Sequence, residues 1–253
     1  MQYSANPFSN IPTVVKNLLI INGIVFLIKL SGLGNFGGLH MESWFGLHYF
    51  SSPLFKPWQL ITHMFMHADG WHLIMNMLLL FMAGSRLEYH WGSKRFLTYY
   101  IIVGVGAGLV YLIPEGIEIW KLTSALDPRE VAAVKAGFEE SEFGLIYHGS
   151  FGMSALSEHY AHVMIGASGA VYGLILAFAL LFPDLEIMLF PLFIPVKVKY
   201  MAFVLFGLAY YNSFVSNQGD FVAHLAHLGG MVVGYFLIRH WKGRGDSGFG
   251  WGG

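Results

Sequence analysis

The sequence predicts an all-α membrane protein that crosses the bilayer six times, and three observations lead to this fold class. Hydrophobic residues make up 55% of the 253 residues and charged residues only 11%, against about 25% charged residues in an average soluble domain. The apolar residues form runs of a length suited to spanning helices, which need about 20 residues. Lysines and arginines are concentrated in alternate connections between these runs, as the positive-inside rule expects.

Six apolar runs are predicted as transmembrane helices. The first carries Lys16 and Lys29 near its ends, which we expect to reach toward the membrane surfaces, and Pro114 is expected to end the third. A polar outer insert, 115–164, follows the third run, and within it Asp127-Pro128-Arg129-Glu130 predicts the start of a short surface helix that ends near Glu142. The six runs are Val14–Leu33, Trp71–Tyr89, Phe96–Ile113, Ser168–Phe182, Lys197–Val215 and Phe221–Trp241.

One domain, residues 1–253, accounts for the whole chain, with a polar segment at 1–13 and a glycine-rich tail at 242–253. Residues 34–57 are too polar to span and are predicted to form an interfacial or re-entrant loop. With the N-terminus inside, the inner side holds nine lysines and arginines and the outer side four. Both termini are therefore expected in the cytoplasm, with the insert 115–164 outside. The expected location is a bacterial inner membrane.

Composition also excludes several classes of function. The chain has no cysteine, so thiolate catalysis, disulfides and cysteine-bound metals are excluded. The formal net charge of −1 gives no basic footprint for nucleic acid. No cofactor and no metal is expected.

The predicted topology brings polar side chains to one depth. His72 and Asn76 lie in the first turns of the second span, Ser168 opens the fourth, and His227 lies in the first turns of the sixth. Each of these spans begins at the outer face. Polar side chains inside a bilayer are costly and usually functional, so we expect these four to form a site just below the outer surface.

The spacing of small residues suggests how the site closes. Gly230 and Gly234 form a small-xxx-small pair, which lets another helix approach closely, and Gly166 and Gly169 are its expected partners. This packing would bring His227 to Ser168 as base and nucleophile. Backbone N–H groups at the start of the fourth span, with the side chains of His72 and Asn76, would then face the oxyanion. No acidic residue is well placed as a third member, because Asp220 lies well before the histidine.

In these motifs the chain resembles the rhomboid intramembrane serine proteases, from about Trp58 to Trp241. The matching patterns are Gly166-x-Ser168-Gly169, Ala226-His227-x-x-Gly230-x-x-x-Gly234, Thr62-His63-x-x-x-His67-x-x-x-x-His72-x-x-x-Asn76, and Gly84-x-x-x-Glu88. Two departures stand out. Trp58-Gln59 occupies the place where many members have Trp-Arg, and the insert 115–164 is long compared with the compact bacterial form.

The resemblance implies a six-helix rhomboid-like bundle that cleaves the transmembrane helices of other proteins near the outer face, in the lipid bilayer, without metal or nucleotide. It implies Ser168 as nucleophile and His227 as base. It also implies that Tyr172 stacks on the histidine, and that Gly166 leaves room beside the serine, with His72 and Asn76 around the oxyanion.

Two other functions fit parts of the same pattern. An inactive relative would bind transmembrane helices as a chaperone or adaptor, although both Ser168 and His227 are present. A metal-ion transporter is suggested by the 12 histidines, and above all by His63, His67 and His72. No acidic residue lies mid-span to share a metal there, which argues against this second alternative.

Overall fold

A computed structural model describes residues 11–35, 40–140, 150–189, 194–215 and 218–243, with the side chains of 138–140, 189, 212–215, 218–223 and 243 left out. Most of the predicted polar segment 1–13 and of the tail 242–253 therefore lies outside the described residues.

The described chain is mostly helical and contains one short β-hairpin. In chain order the helices are α1 (Thr13–Ser31), α2 (Met41–Phe45), α3 (Gln59–Thr62), α4 (Gly70–Leu79), α5 (Ser85–Trp91), α6 (Ser93–Ala125), α7 (Pro128–Glu140), α8 (Phe151–Ala161), α9 (Ser168–Leu181), α10 (Val198–Val215) and α11 (Gln218–Gly243). A 3₁₀ turn, His63–Phe65, extends α3, and a π-helical turn, Leu80–Gly84, joins α4 to α5. The hairpin strands are β1 (Glu186–Leu189) and β2 (Ile194–Lys197).

Helix length and composition identify part of the predicted set of spans. Among the described residues, α1 and α6 are long and apolar enough to cross a membrane. Helix α9 and residues Val198–Tyr211 of α10 are apolar but shorter. The predicted second span, Trp71–Tyr89, is divided among α4, the π-helical turn and α5, which follow one another without interruption.

The prediction that Pro114 ends the third span is wrong, because α6 continues through it to Ala125. A proline inside a helix removes one backbone donor, but membrane proteins tolerate this where neighbouring structure compensates. Here the residues after the proline are held by tertiary contacts. The carboxylate of Glu115 is hydrogen-bonded to His159, and Ile119 is buried against α8.

The insert 115–164 is folded over most of its described length. The predicted surface helix is confirmed as α7. The carboxylate of Asp127 accepts from the N–H of Arg129, and Glu130 accepts from the N–H of Asp127, at 2.7 and 3.0 Å. A second helix, α8, was not predicted. The last part of α6 packs with α7 and α8 in a small apolar cluster formed by Ile119, Val134, Met153, Leu156 and Tyr160.

Two further features differ from the sequence-based expectation: a β-hairpin in a connection, and the start of α11. The proline-rich connection after the fourth span contains the hairpin, so the all-α assignment is corrected to a mostly helical fold. Pro195 pairs with Met188, and a two-stranded ribbon has only edge strands, where proline is tolerated. Helix α11 begins at Gln218, within the predicted polar link 216–220.

Helices α9 and α11 pack through glycines, which sets the distance between the two predicted site helices. A side chain at Gly230 would collide with the backbone carbonyl of Gly169, and one at Gly173 would lie 2.9 Å from the carbonyl oxygen of Gly230. Gly234 faces Gly173 and the hydroxyl of Tyr99. The expected partner Gly166 does not take part: a side chain there would meet His72 instead.

Candidate active site

Ser168 is the first residue of α9, and its position leaves backbone donors free. The helix begins with the N–H of Val171 bonded to the carbonyl of Ala167, so the N–H groups of Ser168 and Gly169 have no partner within the helix. Gly166 enters this turn with φ of 122°, a conformation that residues with a side chain rarely adopt. The sequence thereby places a hydroxyl beside two free backbone donors.

His227 contacts the serine from α11. Its Nε2 lies 2.8 Å from Oγ of Ser168, and its ring stacks on that of Tyr172, with centroids 4.3 Å apart and planes parallel. Its Nδ1 is buried and has no hydrogen-bond partner among the described residues. The side chain of Asp220 lies outside those residues. This pair of atoms allows the serine O–H to donate to the imidazole, which is the arrangement of an activated hydroxyl.

His72 packs against the glycine before the serine. A methyl group at Gly166 would lie 3.0 Å from Nε2 of His72 and 3.6 Å from Oγ of Ser168. The N–H of Ala68 donates to Nδ1 of the ring at 3.3 Å. With Nδ1 acting as acceptor, the neutral ring carries its proton on Nε2. His72 therefore presents an N–H donor on the side of the ring that faces the serine turn.

Asn76 lies one turn further along α4 and is buried. Its Nδ2 donates to the backbone carbonyl of His72 at 2.8 Å. An amide nitrogen carries two hydrogens, so one of them is used within the helix and the other is available. The structure thus brings Ser168, His227, Tyr172, Gly166 and His72 into direct proximity, with Asn76 bonded to the backbone of His72.

The loop that precedes α4 and His72 is held by a lysine, Lys29, whose role the sequence analysis missed. Nζ of Lys29 donates to the carbonyls of His67 and Ala68 at 2.7 and 2.8 Å, and it pairs with Glu42 at 2.6 Å. Instead of extending to the membrane surface, Lys29 links α1 to α2 and to the loop before α4. The sequence signal that could have predicted this pair is a single lysine, Lys29, late in an apolar helix, followed 13 residues later by the glutamate Glu42.

Gln59, which stands where many rhomboid members have an arginine, anchors the loop between α1 and α3. Its side chain is fully buried. The amide nitrogen donates to the carbonyls of Leu54 and Ser43 at 2.9 and 3.2 Å, and the amide oxygen accepts from the N–H of His48 at 3.3 Å. The backbone carbonyl of Gln59 also contacts Nδ1 of His63 at 2.8 Å. A neutral amide therefore serves as the polar anchor here.

Two further histidines, His63 and His67, lie between α3 and α4, outside the predicted spans, and support the site. The carbonyl of His63 accepts from the N–H of Gly166 at 2.9 Å, which ties the loop to the serine turn. The ring of His67 lies edge-on to that of His72, with centroids 5.1 Å apart. Burial lowers the pKa of each of these two histidines to about 4, so both rings are neutral at physiological pH.

Comparison with known proteins identifies relatives. The chain matches the Rhomboid domain over residues 54–117 and 133–241. It is 28% identical over 208 residues to "Uncharacterized rhomboid protein P4H10.10, mitochondrial" of Schizosaccharomyces pombe, covering 74% of this chain and 52% of that protein. It is 30% identical over 84 residues to "Rhomboid-like protease 3" of Toxoplasma gondii, covering 33% of this chain and 28% of that protein. To "Rhomboid protease GlpG" of Yersinia pestis it is 24% identical over 182 residues, covering 66% and 62%.

The matched region spans about half the length of the Schizosaccharomyces pombe protein and less of the Toxoplasma gondii protein. The relatives come from bacteria and eukaryotes, and one is named as mitochondrial, so they do not support the bacterial inner membrane expected from the sequence. The family match itself covers more than half of the chain. The chain therefore belongs to the rhomboid family, which includes intramembrane serine proteases, and is an integral membrane protein.

Proposed function

We propose that this protein is an intramembrane serine endopeptidase that cleaves transmembrane segments of other membrane proteins near the outer membrane face. The observation that carries the proposal is the 2.8 Å contact between Oγ of Ser168 and Nε2 of His227. These two residues are 59 positions apart in the chain. Serine is a weak nucleophile without a base, and this contact supplies one.

In the proposed mechanism, Oγ of Ser168 attacks the scissile carbonyl carbon while Nε2 of His227 takes the serine proton. The resulting oxyanion accepts hydrogen bonds from the free N–H groups at the start of α9, from Nε2 of His72, and from the second amide hydrogen of Asn76. The imidazolium then protonates the leaving amine. Water hydrolyses the acyl-enzyme by the same route in reverse, with His227 again acting as base.

The proposed dyad works without a carboxylate. The stacked ring of Tyr172 fixes the plane of the imidazole, and this takes over the orienting part of the task that an acidic residue performs in a triad. A carboxylate also stabilises the imidazolium, and among the described residues no such group contacts Nδ1 of His227. We therefore expect a slow enzyme compared with triad proteases.

The proposed substrates are transmembrane helices, because Ser168 and His227 lie near the starts of α9 and α11, and both helices belong to the proposed membrane crossings. A helical carbonyl is already hydrogen-bonded, so the substrate must unwind locally before attack. Small or helix-breaking residues near the cut favour this. The proposal includes six membrane crossings, by α1, α4 with α5, α6, α9, α10 and α11, with the lysine- and arginine-rich ends on the cytoplasmic side.

The proposal is tested by cleavage of a single-span substrate by purified protein in liposomes. We expect wild-type protein to cleave, and Ser168→Ala and His227→Ala to lose turnover. His240→Ala, at the exposed far end of the same helix, is the matched control and should retain it. Turnover by His227→Ala near the wild-type rate would contradict the assignment of the base.

A second experiment separates a protease that lacks its substrate from an inactive helix-binding relative. A serine-directed fluorophosphonate probe labels an activated serine without a cognate substrate. Labelling of wild-type protein, lost in Ser168→Ala, is expected. A protein that binds transmembrane helices but resists the probe would be a chaperone or adaptor.

A further inference from the structure

Three side chains of types that bind metals converge within the insert 115–164, separate from the pair Ser168 and His227. Nδ1 of His159 lies 2.9 Å from Oε2 of Glu115, and Nδ1 of His162 lies 3.1 Å from Oε1 of the same carboxylate. All ligand atoms lie within 4.8 Å of one another. The glutamate comes from α6, and the histidines lie three residues apart at the end of α8. The function proposed above uses none of the three.

The spacing of these atoms fits a metal ion after a small adjustment. Zinc binds imidazole nitrogen and carboxylate oxygen at about 2.0–2.2 Å, so two ligand atoms in a tetrahedral site are roughly 3.3 Å apart. The two nitrogen–oxygen distances, 2.9 and 3.1 Å, are a few tenths of an ångström shorter. A bound ion would therefore need the two nitrogen–oxygen contacts to lengthen slightly and the ligand atoms, all within 4.8 Å of one another, to settle around it. The partly exposed His162 has room to rotate.

We propose that Glu115, His159 and His162 form a binding site for a divalent transition metal of the zinc class. Two imidazoles and one carboxylate are a common zinc donor set that leaves one position for water, whereas magnesium and calcium prefer oxygen ligands. The proposal departs from the sequence-based expectation of no metal. It does not depend on the proposed protease function.

The surroundings of the three ligands favour this reading. The glutamate is only 3% exposed, while the side chain of His162 is 31% exposed, so a metal has an entry path from the histidine side. When Nδ1 of a histidine binds a metal, Nδ1 carries no proton, the neutral ring keeps its proton on Nε2, and this N–H usually faces an acceptor. The nearest carboxylate oxygen of Glu158 lies 4.0 Å from Nε2 of His162, which is beyond hydrogen-bond distance but within reach of a small side-chain movement of the exposed glutamate.

A metal here would join elements that lead to the serine. The segment after His162 pairs with the outer loop through Met164 and Leu47, whose backbones exchange hydrogen bonds of 2.8 and 2.9 Å. Gly166 follows two residues later. A bound ion would therefore fix the end of α8 to α6 four residues before the turn that carries Ser168, and would stabilise the outer insert.

The test is zinc binding to purified, chelator-treated protein in detergent, measured by calorimetry and by the thermal unfolding midpoint. We expect one zinc ion per chain. At free zinc a hundredfold above Kd, the midpoint should rise by roughly 5–10 °C, and equal Mg²⁺ should give no rise. Co²⁺ should show the visible absorption of a tetrahedral or five-coordinate ion.

Variants assign the site. Glu115→Gln keeps the size of the buried side chain, and His162→Gln changes a partly exposed one; each should weaken binding at least tenfold. His40→Gln, an exposed histidine elsewhere, is the control. His72→Gln tests the other histidine cluster. Absence of stoichiometric binding to wild-type protein, or binding lost in His72→Gln but kept in His162→Gln, would overturn the proposal.

Discussion

The carbonyl oxygen of Gly169 in α9 occupies the space that a side chain at Gly230 in α11 would need. The two helices therefore meet backbone to backbone beside Ser168 on α9 and about one turn after His227 on α11. Such close approach requires glycine at position 230, because a Cβ atom there would separate the helices. A Cβ atom at Gly169 would instead collide with the side chain of Ala107 in α6. The distance between the two chemical groups depends on this packing.

Gly230→Ala should consequently reduce both stability and cleavage. Overpacking a tight contact costs about 1–3 kcal/mol, and a shift of His227 by a fraction of an ångström disturbs the proposed proton transfer. Gly207→Ala is a matched control in α10, where an added methyl group meets no atom within 4 Å. The thermal unfolding midpoint and the cleavage rate are measured for both variants. If Gly230→Ala behaved like Gly207→Ala in both, the proposed role of this packing contact would be contradicted.

His72→Ala and Asn76→Ala should each lower kcat by roughly 10- to 1,000-fold, the range for a lost oxyanion donor. The effect of His72 should be the larger, since its Nε2 faces the serine turn while one amide hydrogen of Asn76 is used within α4. Single-turnover cleavage in liposomes measures both. Unchanged rates in the two variants would exclude these side chains from the oxyanion site.

Lys29→Met should lower kcat by several-fold with little change in KM. The lysine binds the carbonyls of His67 and Ala68, and the N–H of Ala68 orients the ring of His72. Removing the lysine leaves Glu42 unpaired and loosens this loop. Lys16→Met, an exposed lysine at the other end of α1, is the control, and a Lys29→Met variant that behaves like it would disprove the positioning role.

Thermal stability should fall as the pH drops from about 6.5 to about 4. Burial lowers the pKa of His63 and His67 to about 4 in the folded protein, against about 6.5 when unfolded. Between these values the unfolded chain binds more protons, so acid favours unfolding by about 1.4 kcal/mol per pH unit for each histidine. Melting curves of Ser168→Ala protein in detergent across this range measure the slope, and a flat profile would mean that these rings are not neutral in the fold.

Local sequence was sufficient for most of the helices and for the residues of the candidate site. The predicted fourth and fifth runs, Ser168–Phe182 and Lys197–Val215, agree with α9 and α10 to within one residue at each end. The start of α7 after Asp127 could also be predicted, because helix capping involves residues that are neighbours in sequence. The sequence motifs around Ser168 and His227 were enough to predict both as site residues. Each of these features depends on hydrophobicity or on hydrogen bonds between nearby residues.

Tertiary structure alone decided where distant groups meet. The packing of the chain lets α6 continue through Pro114 and brings Lys29 to the loop before α4. It also brings His159, in α8, and His162, just after α8, to Glu115. None of these contacts has a local signature, because each depends on how whole helices pack and on which buried polar group finds a partner. The sequence determined which side chains are candidates for the proposed chemistry, and the packing of glycine on glycine decided that Ser168 and His227 lie within hydrogen-bond distance.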